Sequence, residues 1–330
     1  MNFRNFALSA VMVVVSVVLM LGVGEVVLRV KNSTMTNYDI EMWRYARDLK
    51  FRSDNPVLGH DHLKNASARL QSVEIRTDEW GLRGPPVPPR DPDVRRILFL
   101  GSSITLGWGV KEEDTETEQL RKMFAADGQR VEVLNAGIGN YNAERYVERF
   151  LTELTRLDPS DIVVQYFLRD AEKLDDGQGN ALLRNSELAV TLWIAMTRLT
   201  GKVGLRSLEE HYQSVYKQDS EGYRTMLASL RKLADYAKAH HIRLTMAMTP
   251  DIHNLKDYPF LDIHRRMEGI ARDDGYTFVD LLPAFSKLSP EQVWAMPGDP
   301  HPNALGHRLM AEAIYPVLRE GAKTELGSSR

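Results

Sequence analysis

Ile97-Leu98-Phe99-Leu100-Gly101-Ser102-Ser103-Ile104-Thr105-Leu106-Gly107 is the stretch from which the fold can be read. It opens with a short, wholly apolar run, the pattern of a strand buried on both faces of a parallel sheet. The run breaks at once into Gly and Ser, with a second Gly at 107. A buried strand that ends this way carries a hydroxyl to the carboxyl edge of the sheet, where open α/β sheets hold their ligands. Ser103 is therefore the candidate nucleophile.

Outward from this strand, apolar runs alternate with helical patterns. A second strand is expected at 131–134, ending in Asn135-Ala136-Gly137-Ile138-Gly139-Asn140. A helix from 143 to 157 stops at Asp158-Pro159, because a residue before proline is pushed out of the α region. A third strand over 161–168 leads into Arg169-Asp170. A fourth at 242–248 ends in Thr249-Pro250-Asp251, a fifth covers 276–281, and a closing helix covers 304–318. Such alternation means βαβ units and a parallel sheet. A longer insertion, 171–241, holds an apolar helix around 187–199 and a charged one at 221–239.

Polar residues recur at the strand ends: Ser102, Ser103, Asn135, Asn140, Arg169, Asp170 and Asp251. Asn, Asp and Ser also make turns, which accounts for any one of them alone. A candidate base lies in Gly298-Asp299-Pro300-His301-Pro302-Asn303. Asp299 and His301 each precede a proline, so the loop is stiff and extended. A carboxylate beside a histidine fixes its tautomer and stabilises the imidazolium, as in hydrolase triads. A helix-leading turn with an ordinary surface histidine is the alternative. Metal binding is another, but no further His/Asp cluster has ligand spacing. Asn303 suits the N-cap of the closing helix. Sequence alone does not bring His301 to Ser103; closure of the sheet would.

The chain has 330 residues, net charge −3 and no cysteine. Disulfides, a thiol nucleophile and thiolate metal sites are excluded. No basic block points to nucleic acid. From Asn5 to Gly24 there is no charge, a length that suits a bilayer span. A signal peptide is the rival reading, but no Ala-x-Ala cleavage pattern follows. Lys and Arg after the span (Arg29, Lys31, Arg44) would by count place the carboxyl-terminal side in the cytoplasm. The expected organisation is an anchor at 1–30, a membrane-proximal stalk and Pro-rich linker at 31–93, and a globular domain at 94–330. The stalk includes an amphipathic helix at 39–51 and the run Gly84-Pro85-Pro86-Val87-Pro88-Pro89, a stiff spacer.

Several other features read blandly. Gly137-Ile138-Gly139 lacks the third glycine of a dinucleotide fingerprint. His307 reads as a packing residue. His60, His62, His211, His253 and His264 join no constellation and read as surface residues.

The motifs carry a resemblance. Gly-Ser-Ser-Ile-Thr-Leu-Gly (101–107) resembles the Gly-Asp-Ser-x-Thr-x-Gly block of the SGNH/GDSL hydrolase superfamily, and Asp-Pro-His-Pro-Asn (299–303) resembles its carboxyl-terminal Asp/His block. Asn135–Asn142 and Phe167–Asp170 stand where the second and third blocks belong. The anchor, the proline-rich stalk and Gly81-Leu82-Arg83-Gly84 are similar to the layout of membrane-anchored bacterial members, often associated with surface polysaccharide. The resemblance implies a three-layer α/β/α sandwich with a five-stranded, mainly parallel, flavodoxin-like sheet. It implies a Ser103-His301-Asp299 triad and an oxyanion hole from Ser103, Asn140 and Arg169, with neither cofactor nor metal. Ser102 replaces the family's Asp, which is not the triad acid. Asn140 replaces a Gly whose backbone N–H is what matters, and Asn tolerates left-handed geometry. Arg169 replaces an Asn side-chain donor and brings a full charge. The implied activity is serine esterase action on acyl, chiefly O-acetyl, esters of a carbohydrate or polysaccharide. The chain would sit in the bacterial cytoplasmic membrane, its domain facing the periplasm or exterior. A polysaccharide O-acetyltransferase shares the chemistry up to the acyl-enzyme. A non-catalytic glycan-binding scaffold is the third reading.

Overall fold

The strand at the centre of the motif is longer than its apolar core. It runs Arg95–Gly101 and is the fifth of nine strands in a computed structural model that describes residues 3–32, 38–174, 181–201, 208–297 and 301–328. Two short antiparallel hairpins precede it: β1 (Lys50–Arg52) with β2 (His60–His62), and β3 (Ser67–Leu70) with β4 (Val73–Arg76). The main sheet comprises β5 (Arg95–Gly101), β6 (Val131–Asn135), β7 (Asp161–Tyr166), β8 (Arg243–Met248) and β9 (Thr277–Asp280), in the order β6-β5-β7-β8-β9. Every pairing in it is parallel. Its helices are α3 (Ser103–Leu106), α4 (Glu116–Ala126), α5 (Ala143–Thr152), α8 (Leu208–Val215), α9 (Glu221–Ala239), α10 (Leu261–Asp273), α11 (Leu282–Phe285), α12 (Pro290–Val293) and α13 (Ala304–Ser328).

Successive side chains on a strand point to opposite faces, and both faces here are apolar. Leu98, Leu100, Ile162, Val164, Met246 and Met248 pack with Val147 and Phe150 of α5, Leu230 and Leu233 of α9, and Ile263 and Met267 of α10. Ile97, Phe99, Val163 and Ala247 pack with Leu120 and Phe124 of α4 and with Met310, Ala311 and Ile314 of α13. Full burial of each larger side chain contributes roughly 1.5–3 kcal/mol. The result is the expected three-layer α/β/α sandwich. At the amino ends of its strands, Asp161 accepts from Arg95 at 2.6 and 2.8 Å and from Arg243 at 2.8 and 2.9 Å. Burial opposes the Asp161 charge, but these hydrogen bonds outweigh it and hold the carboxyl below its usual range.

The segment expected as a stalk divides differently. Leu49–Asp175 with Arg206–Arg330 forms one compact unit, and Met1–Asp48 with Asp176–Leu205 forms another. The hairpins therefore belong to the larger unit, where Leu58, Leu70, Ile75, His62 and Arg83 are buried. Their strands are three or four residues long, too short to show periodicity. The proline run also lies on this unit: Arg96 Nη2 donates to Pro88 O at 2.8 Å. The helix expected to 157 ends at Thr152 and is followed by a 3-10 turn at Leu154–Leu157.

The smaller unit contains α1 (Phe3–Asn32), α2 (Tyr38–Asp48), α6 (Ala181–Asn185) and α7 (Glu187–Gly201). α1 has 30 residues, about 45 Å of helix, enough to cross a hydrocarbon core of about 30 Å. It is long and apolar enough to cross a membrane, a test that a signal sequence also passes. Its last turns are tied to α6 and α7. Glu25 accepts from the Ser186 hydroxyl at 2.8 Å and from the N–H groups of Glu187 and Leu188 at 3.0 and 2.9 Å. Arg29 donates to Asn185 O at 2.9 Å, and Asn32 donates to the buried Glu187 at 2.8 Å.

Candidate active site

β5 ends at Gly101, and Ser103 is the first residue of α3. The turn between them is too tight for a side chain at 101. A Cβ there would lie 2.0 Å from Thr105 Oγ1 and 3.0 Å from Gln165 O. α3 stops after one turn at Gly107, in left-handed geometry with φ +79, which glycine adopts at no steric cost. The carboxyl end of so short a helix leaves bare carbonyls. Asn135 Nδ2 donates to Thr105 O at 2.7 Å. Arg83 donates from Nη1 to Leu106 O and Gly107 O at 2.6 and 2.7 Å, and from Nη2 to Val110 O at 2.6 Å. Arg83 is buried, and its own N–H donates to Asn135 O at 3.0 Å. Arg83 thus braces the back of the serine turn. Nothing in sequence distance pointed to that role.

His301 Nε2 lies 2.7 Å from Ser103 Oγ, across 198 residues of chain. His301 is 4% exposed, whereas Ser103 is only partly buried. The loop that delivers the imidazole is pinned on both sides. Ala295 N–H donates to His301 O at 2.8 Å and Asn303 N–H to Val293 O at 2.7 Å. Gly306 N–H donates to Asn303 Oδ1 at 3.1 Å, the N-cap expected for the closing helix. Asp299, the expected acid, lies outside the described residues, as do Gly298 and Pro300.

The other two expected residues stand at the carboxyl ends of the strands flanking β5. Asn140, after β6, is exposed and has φ 64. Ile138 N–H donates to Gly101 O at 3.2 Å, which lays this loop beside the serine turn. The N–H groups of Ser103 and Asn140 have no acceptor among the described residues. Arg169, after β7, has a half-exposed guanidinium that pairs with Glu172 at 3.3 Å. Glu172 also meets His211 at 2.9 Å. Asp170 next to it is buried, and accepts from Phe167 N–H at 3.1 Å and Tyr146 OH at 3.3 Å. Burial pushes its carboxyl up to about 8.

Several histidines depart from the surface reading. His62 and His264 are buried and His60 is mostly so. His264 bridges Asp280 at 2.9 Å and Tyr258 OH at 2.8 Å. Single histidines in mixed segments carry no periodic signal, so only packing reveals them. His307 is buried, as expected of a packing residue, and its Nδ1 accepts from Glu116 N–H at 3.2 Å. Burial, then Arg83 and His301, lowers it to about 3, so it is neutral. The buried Glu116 carboxyl, pushed well above its usual range by burial, faces the Gln165 amide at 3.1 Å.

A serine at the carboxyl edge of a parallel sheet, hydrogen-bonded to a histidine, is a layout that serine hydrolases of unrelated folds share. The model of the GDSL-like lipase/acylhydrolase family matches residues 99–309, from the middle of β5 into α13. The chain belongs to this family and is an ester-bond hydrolase. A comparison with curated proteins finds no match. Among solved structures, the chain is similar to a psychrotrophic esterase from Pseudoalteromonas sp. at 14% identity, covering 69% of this chain and 99% of that one, with TM-score 0.45. It is also similar to a catalytic mutant of an acetylxylan esterase from Geobacillus stearothermophilus at 17% identity, covering 67% and 92%, with TM-score 0.45.

Proposed function

We propose that this hydrolase removes short acyl groups, chiefly O-acetyl, from a carbohydrate through an acyl-enzyme on Ser103. The observation that carries the reading is the 2.7 Å contact between His301 Nε2 and Ser103 Oγ. In this reading His301 takes the serine proton as Oγ attacks the acyl carbon. The new oxyanion is held by the N–H groups of Ser103 and Asn140, with Arg169 as third donor. His301 returns the proton to the departing sugar oxygen, and water repeats the cycle on the acyl-enzyme. Asp299 orients the imidazole. The polar rim of Arg169, Glu172 and His211, beyond the end of the strand beside β5, suits a hydroxyl-rich or uronate-bearing substrate better than a fatty chain.

The test is acetate release from an acetylated polysaccharide, run beside p-nitrophenyl acetate and a long-chain ester. The short ester and the polysaccharide should be cleaved and the long ester spared; the reverse preference overturns the substrate reading. Acetyl transfer to an added sugar at the expense of acetate would make the enzyme a transferase with the same triad. Arg169→Ala should lower kcat on both acetyl substrates by about 10²–10³-fold, the usual cost of an oxyanion donor. A raised KM confined to the polysaccharide would make Arg169 a substrate clamp instead.

We further infer that α1 is a retained anchor, with the catalytic unit outside the cytoplasm as the resemblance to membrane-anchored members implies and against the Lys/Arg count. Support comes from the polar side chains of its last turns: cleavage near Gly24 would cut α1 from the residues that cap α7, and would leave Glu25 at a new chain end. Peptide mapping of the membrane fraction should recover residues 1–24; a mature chain that starts near Glu25 would refute retention.

A further inference from the structure

The carbonyl of Gly139 meets two donors from the β1–β2 hairpin, Lys50 Nζ at 2.6 Å and His60 Nε2 at 3.1 Å. Neither donor is placed there cheaply. Lys50 is 6% exposed, and burying an ammonium is costly unless its protons are bonded. Burial, then nearby Arg145, pushes Lys50 well below the usual lysine range. Burial, then Lys50, lowers His60 to about 2, so its ring is neutral. Arg145 Nη1 faces its Nδ1 at 3.5 Å, which leaves the ring proton on Nε2, toward Gly139. Tyr141 OH donates to His60 O at 2.5 Å and the two rings pack 5.1 Å apart, so hairpin and loop are locked together.

A peptide group is planar and trans, so its C=O and the following N–H point in opposite directions. Holding Gly139 O therefore aims Asn140 N–H. That N–H has no acceptor among the described residues, and the loop lies against the serine turn through Ile138 N–H on Gly101 O at 3.2 Å. Donors on the carbonyl also polarise the peptide and strengthen its N–H as a donor.

We propose that Lys50, assisted by His60, is a positioning residue for the oxyanion hole: it fixes and polarises the Gly139–Asn140 peptide so that Asn140 N–H meets the tetrahedral intermediate. This rests on the reading of Ser103 and Asn140 given above. Lys50 touches no substrate atom and acts through the peptide.

Lys50→Met keeps the stem and removes the donor. The full chain is assayed on p-nitrophenyl acetate and titrated with a trifluoromethyl ketone, which adds to a serine as an oxyanionic hemiketal. Active sites are counted with a fluorophosphonate. Per active site, kcat should fall roughly 10–100-fold, part of the usual oxyanion-donor effect. KM should stay within about twofold, and ketone affinity should fall by the same factor as kcat. His60→Phe should show the same pattern to a smaller degree, and it carries the test if Lys50→Met does not fold. A purely structural lysine would lower the melting temperature while surviving sites keep wild-type kcat and ketone affinity. That result overturns the proposal. Failure of the underlying reading is distinguishable, because Ser103→Ala would then retain turnover. A dead Ser103→Ala beside an unaffected Lys50→Met removes only the positioning role.

Discussion

Ser103→Ala is expected to lose about four orders of magnitude or more in kcat on p-nitrophenyl acetate, with fluorophosphonate labelling abolished. The hydroxyl lies 2.7 Å from His301 Nε2, the separation at which a proton can pass as the bond to carbon forms. In the proposed mechanism alanine removes the attacking atom and leaves the oxyanion donors in place. Residual hydrolysis above the uncatalysed rate would come from those donors alone. The fold should not suffer: Ser103 is partly exposed, and among the described residues its side chain pairs with His301 alone. An unchanged melting temperature is part of the expected result. Ser102→Ala is the control, because Ser102 does not reach His301 and should be much milder. A dead Ser102→Ala beside an active Ser103→Ala would move the nucleophile by one residue and sink the assignment. Turnover kept in full by both variants would place the chemistry outside this turn.

Gly137→Ala is expected to damage both stability and turnover, although it adds only one methyl group. A Cβ at 137 would lie 2.2 Å from Leu106 N, 2.7 Å from Thr105 C and 2.8 Å from Thr105 Cβ. Two of these neighbours are backbone atoms of α3, so no rotamer change relieves the clash. Ordinary contact begins near 3.4 Å, so α3 or the loop after β6 must move by about 1 Å. That shift loosens Asn135, which accepts from Gly137 N–H at 3.0 Å and donates to Thr105 O at 2.7 Å. The stability loss should be about 1–3 kcal/mol, as for overpacked cores. Displacing Ser103 by a fraction of that movement should cost on the order of 10²-fold in kcat. Gly269→Ala, in α10 with nothing within 4 Å, is the contrast. It should be neutral or stabilising by about 0.5–1 kcal/mol, because glycine weakens a helix interior. Equal melting temperatures for the two variants would show that the close approach at 137 relaxes freely.

The main sheet was legible because its strands are buried on both faces. A run such as Ile162-Val163-Val164 has nowhere polar to point, and burial on both sides leaves that mark in composition. The Gly-flanked serine was legible for a related reason: Gly101 and Gly107 answer local steric demands of one tight turn. The pre-proline loop of His301 and its N-cap at Asn303 are also local rules, readable over five residues.

What sequence by itself determined, then, is the set of features whose causes lie within a few residues or repeat along one element: strands, caps, the serine turn and the histidine loop. Only the tertiary structure decided which of them meet. It joined Ser103 to His301 across 198 residues. It drew 49–93 onto the catalytic unit, where Arg83 ties the back of the serine turn and Lys50 holds the Gly139 carbonyl. It also turned His62 and His264 inward. Those roles rest on single buried polar side chains whose partners lie 6 to 89 positions away. Burial makes such groups find hydrogen bonds, but an isolated arginine, lysine or histidine carries no period that says which partner it will reach.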